Sequence, residues 1–166
     1  MRYTERRTGI DYTSDANLIN TGVSKSVASE FKEKHQQQMW TVRSFPEGKR
    51  NCYKINITRD SKYLIRTSYL YGNYDGLNKT PQFDTHLGAN WWHTVTLSNA
   101  STPQGKEIIH VTSQDYVQIC LVNTGYGTPF ISAIEFRTLP NNIYVTQFGS
   151  LETYYRWDLG SNQSYR

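Results

Sequence analysis

Asn51-Cys52-Tyr53-Lys54-Ile55-Asn56-Ile57 and Tyr63-Leu64-Ile65-Arg66-Thr67-Ser68-Tyr69-Leu70-Tyr71 are the stretches whose reading decides the fold. In the first, Tyr53, Ile55 and Ile57 fall on one side, and Cys52, Lys54 and Asn56 on the other. In the second, Tyr63, Ile65, Thr67, Tyr69 and Tyr71 share a side. Side chains of an extended chain alternate between two faces, so each stretch predicts a half-buried β-strand.

Working outward, further short segments of this kind appear at Trp40–Phe45, Gln82–Leu87, Trp91–Leu97, Lys106–Val111, Tyr116–Val122 and Phe130–Leu139. Turn chemistry separates them: Pro46-Glu47-Gly48, Gly72-Asn73-Tyr74-Asp75-Gly76, Gly88, Pro103, Gly105, Gly125, Gly127, Pro129 and Pro140. Strands at spacings near ten residues predict an all-β antiparallel sandwich of jelly-roll type. No convincing helix–strand alternation supports a Rossmann or barrel fold. Residues 1–25 read as irregular, and Lys32–Trp40 has a weak helical flavour without an apolar face. Thirteen Tyr, four Trp and six Phe fit a pleated sheet and exclude a disordered chain.

The net charge of +4 is scattered, and two of its three tight clusters contain acids, so no nucleic-acid partner is expected. No run approaches the roughly 20 apolar residues of a membrane span. Met1–Arg7 has no apolar run and is not a signal peptide. Asn56, Asn78, Asn99 and Asn162 each open an Asn-X-Ser/Thr sequon. That exceeds the about two expected by chance and favours the secretory route. A secreted-looking body without a leader predicts a piece of a longer chain. Cys52 and Cys120 both lie in the polar phase of their strands. They are read as a surface-side disulfide or as two free, partly buried thiols.

Several phrases in order resemble the malectin-like ectodomain of plant leucine-rich-repeat receptor-like kinases. They are Tyr3-Thr4-Glu5 with Tyr12-Thr13-Ser14-Asp15, Trp40-Thr41-Val42-Arg43-Ser44-Phe45-Pro46, Gly48-Lys49-Arg50-Asn51-Cys52-Tyr53, Tyr71-Gly72-Asn73-Tyr74-Asp75-Gly76, Asn90-Trp91-Trp92 and Gly127-Thr128-Pro129-Phe130-Ile131-Ser132. The resemblance implies a carbohydrate-binding-like sandwich, normally two lobes in tandem ahead of leucine-rich repeats, a membrane helix and a kinase. Residues 1–140 would be the first lobe, without the strand and Cys-Gly pair that normally precede it. Residues 141–166, including Tyr155-Arg156-Trp157-Asp158, would be a linker and the start of a second lobe with no core of its own, loosely attached.

The resemblance also implies a non-catalytic interaction module on the extracellular side of the plasma membrane, anchored by a span outside these 166 residues. Its expected partners are a peptide, a co-receptor or a cell-wall glycan; the alternative is a stand-alone lectin-like glycan binder. Animal malectin, a distant relative, holds a glucose disaccharide with loop aromatics and an acid. Tyr74 and Asp75, with Tyr69 and Tyr71, are therefore ligand candidates, although Tyr69 and Tyr71 sit in an apolar phase that also suits a core. Tyr126 and Phe130 flank a second turn and join the list. Trp91 and Trp92 point to opposite sides of one strand, one as core and one as surface. Asp84 and His86 share a strand side, but no third ligand is in register, so no metal or other cofactor is expected. No nucleophile elbow, zinc motif or phosphate loop is present, and no catalytic residue is assigned.

Overall fold

The computed structural model describes residues 2–146 and 149–155. Short strands β1 (Arg2–Thr4) and β2 (Asp11–Thr13) form a hairpin, followed by β3 (Val23–Ser26). A single helical turn, α1 (Ser29–Lys32), and a 3-10 turn at Gln37–Met39 lead into β4 (Thr41–Ser44). The strands that dominate the fold are β5 (Arg50–Asn56), β6 (Lys62–Tyr69), β7 (Gln82–Leu87), β8 (Asn90–Thr96), β9 (Gln104–Val111) and β10 (Tyr116–Tyr126). Then come β11 (Phe130–Ile131), β12 (Ala133–Leu139) and β13 (Leu151–Thr153).

Four of these strands form one layer in the order β5-β10-β7-β8. The facing layer is built from β12-β6-β9-β13 and β11-β4-β3, which meet where β11 runs into β12 through Ser132. Every pairing is antiparallel. The inner faces carry the residues that the alternation selects: Tyr53, Ile119, Leu121, Phe83 and Val95 from one layer, and Ile65, Tyr69 and Ile108 from the other. Burying a large side chain of this kind contributes about 1.5–3 kcal/mol.

Three expectations need correction. The first 25 residues are not wholly irregular, because they supply β1, β2 and β3. Nor is β6 half-buried: it is covered on both faces. Its outer residues Lys62 and Arg66 meet partners distant in sequence. Lys62 Nζ donates to the carbonyls of Asn141 (3.1 Å), Ile143 (2.6 Å) and Tyr144 (3.4 Å). Arg66 lies between Glu107 (2.9 Å) and Glu135 (4.0 Å), and Glu135 also accepts from the Tyr12 hydroxyl. Desolvating such charges is costly unless they are paired, and here they are.

The third correction concerns the cysteines. Cys52 and Cys120 stand directly opposite in the β5–β10 ladder and are joined by a disulfide. Cys120 is fully buried and Cys52 half-buried, so the bond is not a surface feature. His86 lies beside Cys120 on the next strand. After Pro140 the chain stays with the same sandwich as far as it is described, since β13 pairs with β9. Residues 156–160 of the expected second-lobe start lie outside the described residues.

Candidate functional site

Two loops meet at one end of the sandwich: residues 70–81, and a second made of the bulged end of β10 and the turn after it, residues 123–129. Gly72 fixes the first of them. Its φ of +48° lies in the left-handed region, and a Cβ there would come within 2.6 Å of the Val27 side chain. Its N–H donates to Ala100 O (2.9 Å), and its carbonyl accepts from Ala28 N–H (2.8 Å). The loop therefore locks against two other segments at one residue.

The aromatic candidates assemble behind this turn. Phe130 is the hub: its ring lies 5.1 Å from Tyr74, 5.8 Å from Phe83, 6.2 Å from Tyr71 and 6.3 Å from Tyr69. Tilted and edge-on contacts at these distances are the favourable arrangements for rings. Tyr69, Tyr71 and Phe130 are fully buried and Tyr74 is nearly so. In this conformation their faces are occupied by one another and offer no surface to a ligand. Their hydroxyls are engaged as well. Tyr69 meets Thr85 Oγ1 at 3.0 Å, Tyr74 accepts from Ser44 Oγ at 3.3 Å, and Tyr71 donates to Asp75 while accepting from Lys79 N–H at 3.2 Å. Burial pushes the Tyr69, Tyr71 and Tyr74 phenols each up to about 12, so all three are neutral donors at ordinary pH.

Asp75 differs from its neighbours. It is exposed, and its Oδ1 takes the Tyr71 hydroxyl and the Leu77 N–H (3.1 Å). Asn73 Oδ1 accepts Asn78 N–H at 2.9 Å and so closes the same loop. The second loop is held by Asn123 Oδ1, which accepts Gly125 N–H at 2.8 Å, and by Thr124 Oγ1, which donates to Gln82 O at 3.0 Å. Gly127 packs against Pro81, so the two loops touch. Tyr126 projects from the second loop at 68% exposure, opposite Gln82. Leu77, 73% exposed on the first loop, is a member that sequence reasoning missed. Its only signal was an apolar residue inside a polar turn.

A second constellation was also missed. Asp15 accepts from Arg43 through both its oxygens, with Nη2–Oδ1 at 2.6 Å, and from the Tyr53 hydroxyl at 2.9 Å. Burial pushes the Asp15 carboxyl up, but the bonds from Arg43 and Tyr53 outweigh it and hold the group below its usual range. The pair fastens loop 14–20 beside a cleft of about 420 Å³ lined by Tyr12, Val42, Ile131 and Phe136. Arg43 Nη1 also donates to Thr21 O (3.4 Å) and Gly22 O (3.5 Å), so we read the pair as a latch.

The other candidates separate. Trp92 belongs to the core, whereas Trp91 is 61% exposed. Asp84 accepts from Thr94 Oγ1 at 2.6 Å, and His86 Nδ1 lies 3.4 Å from Ala89 O. Among the described residues, no three His, Cys, Asp or Glu side chains converge on a possible metal position. Asn56, Asn78 and Asn99 are exposed, and Asn162 lies outside the described residues.

Comparison with known proteins identifies the family and the fold. A family model for the malectin-like domain matches residues 1–166. A probable LRR receptor-like serine/threonine-protein kinase of Arabidopsis thaliana is 54% identical over 149 residues, covering 90% of this chain and 17% of that protein. The Arabidopsis LRR receptor-like serine/threonine-protein kinase IOS1 is 49% identical over 166 residues, or 99% of this chain and 18% of the relative. The chain thus spans under a fifth of the length of these relatives. Among solved structures, the Arabidopsis ANX1 ectodomain superposes with a TM-score of 0.72 at 18% identity, over 85% of this chain and 39% of that one. FER, in its complex with the plant peptide RALF23 and LLG2, gives 0.67 at 14%, over 82% of this chain and 38% of the matched one. Similarity at this identity establishes the fold alone.

Proposed function

The chain belongs to the malectin-like family, and on that footing we propose that it is the extracellular ligand-sensing module of a plant receptor-like kinase. The domain itself is non-catalytic, and no kinase domain lies within it. One observation carries the reading: 54% identity to a plant LRR receptor-like kinase across 90% of this chain. Residues 1–140 would be the first lobe. Residues 141–166 would be a linker and the start of a second. Asn56, Asn78, Asn99 and Asn162 would carry glycans on the outer side of the plasma membrane.

Ligand contact is assigned to the exposed rim of the two touching loops, Asp75, Leu77 and Tyr126. The buried rings of Tyr69, Tyr71, Tyr74 and Phe130 form the floor that sets its shape. A peptide ligand with a co-receptor is the partner class we favour. The solved neighbour that contains RALF23 and LLG2 supports this class, and a rim that sets Leu77 and Tyr126 beside the Asp75 carboxylate suits peptide side chains.

The test is capture of partners from plant extracellular fluid by the immobilised domain, run beside a glycan array. Retention of a receptor or peptide that is lost in Asp75→Ala and Tyr126→Ala supports the reading. Saturable binding of an oligosaccharide at the same rim, with no protein partner, would instead favour the lectin-like alternative. Partner capture unchanged in both variants would remove the rim assignment.

A further inference from the structure

The opposite end of the sandwich holds a cleft of about 630 Å³. It lies beyond the far end of β7. The five residue steps from Gln82 to Leu87 separate it from the sensing rim by roughly 17 Å. Its walls are the β7–β8 turn at Gly88–Ala89, the β9–β10 turn around Thr112–Gln114, and the exposed indole of Trp91. The turns are fastened in place. Gly88 N–H donates to Gln118 O at 2.8 Å, and Thr112 Oγ1 both donates to Gln114 O (2.9 Å) and accepts from Gln114 N–H (3.1 Å). The volume falls in the range that encloses small ligands.

The chemistry of the lining narrows the choice. Among the described residues it includes no Lys or Arg, and its one carboxylate, Glu152, already meets Lys106 Nζ at 3.3 Å. His110 is kept in its neutral form by burial and lies 2.8 Å from Ser150 Oγ. The remaining polar groups are amides and hydroxyls, with Asn90, Gln114 and Gln118 foremost. The two ammonium groups nearest this lining are already engaged, Lys106 by Glu152 and Lys54 by the Tyr116 ring, so an anionic ligand would find no free cation in the lining itself, and a wholly apolar one would strand the amides. The Lys54 ammonium stands 4.4 Å from the centre of the Tyr116 ring and covers one of its faces, so Trp91 offers the most open ring. The Trp92 indole N–H, on the same lining, is buried with no hydrogen-bond partner among the described residues.

We propose that this cleft is a second binding site, separate from the sensing rim, that takes a neutral saccharide stacked on Trp91. A pyranose ring presents an apolar face of C–H groups to an indole and an equatorial belt of hydroxyls to amides. That is the combination this lining serves. Asn56, in register with Tyr116 at the cleft's edge, opens a sequon.

The experiment is an NMR and calorimetric titration of the 166-residue chain, expressed without N-glycans so that no sugar on Asn56 competes. The probes are neutral tetrasaccharides of glucose, xylose, galactose and mannose. At least one is expected to shift the Trp91 indole signal saturably. Affinity by calorimetry should fall roughly tenfold or more in Trp91→Ala and stay unchanged in Tyr126→Ala. Because Trp91 is largely exposed, its variant should keep the parent melting temperature. Gln118→Leu gives an independent second loss. The proposal is overturned if no tetrasaccharide binds, if binding survives Trp91→Ala, or if Tyr126→Ala abolishes it.

Discussion

His93 should make this domain lose stability as pH falls from about 6.5 toward 4. The residue is 4% exposed, on the inner face of β8, and neither ring nitrogen has a hydrogen-bond partner among the described residues. Its ring packs edge-on against Trp92 at 5.0 Å and Tyr69 at 6.0 Å. Burial, assisted by the positive charge of Lys106 and opposed by Asp84, lowers its pKa from 6.5 to about 4. The unfolded chain therefore binds a proton near pH 6.5, while the folded chain refuses it until about pH 4. Wherever the unfolded state holds more protons, stability rises with pH. The contribution is thus complete above 6.5 and declines below it, by about 1.4 kcal/mol at pH 5.5 and about 2.5 kcal/mol at pH 4.5. Urea titrations at pH 7.5, 6.5, 5.5 and 4.5 measure this. His93→Phe keeps an aromatic edge in place and removes the proton site, so its stability should fall less steeply by those amounts. The depressed Asp15 carboxyl acts on both proteins alike and cancels in the comparison. Equal slopes for parent and variant would refute the reasoning. So would an NMR titration of folded His93 with its midpoint near 6.5.

Three further outcomes are expected. Replacing Cys52 and Cys120 by Ala, across their separation of 68 residues, should cost about 4 kcal/mol of unfolding free energy on chain-entropy grounds, read by denaturant midpoint. Gly72→Ala should cost about 2–4 kcal/mol through both strain and the Val27 clash, whereas Gly76→Ala, with φ +74° but open space around it, should cost only about 1–2 kcal/mol; equal losses would remove the clash from the account. Phe130→Ala empties the hub of four rings and should lower stability by about 3–5 kcal/mol, with loss of near-ultraviolet aromatic dichroism.

Strands β5 to β10 were legible because each is six or more residues long, rich in aromatic and β-branched residues and bounded by turn residues, and these are local properties of the chain. The strands β1, β2, β3 and β13 are three or four residues long, with few buried positions, and carry no such period. The double-sided burial of β6 depends on Lys62 meeting carbonyls about 80 residues away, a partnership that no window of sequence contains. At the candidate site, the turn at 72–76 was found by its glycines. The division of labour within it was not, because burial and exposure of Tyr74 and Asp75 depend on Phe130 and on the second loop. The Asp15 latch joins residues 28 and 38 positions apart and leaves no local trace.

The cross-strand bond between Cys52 and Cys120 also sets how the domain would behave under tension. A pull applied to the two ends of the chain passes directly through the sulfur bridge. The 67 residues between the cysteines carry none of the load. They withhold roughly 230 Å of extension, at about 3.4 Å per residue. The disulfide thus encloses β6 to β9, and with them the turn at Gly72–Gly76. Stretching would peel away the N-terminal hairpin and β12–β13 first, while the segment that forms the loop stays slack inside a closed ring.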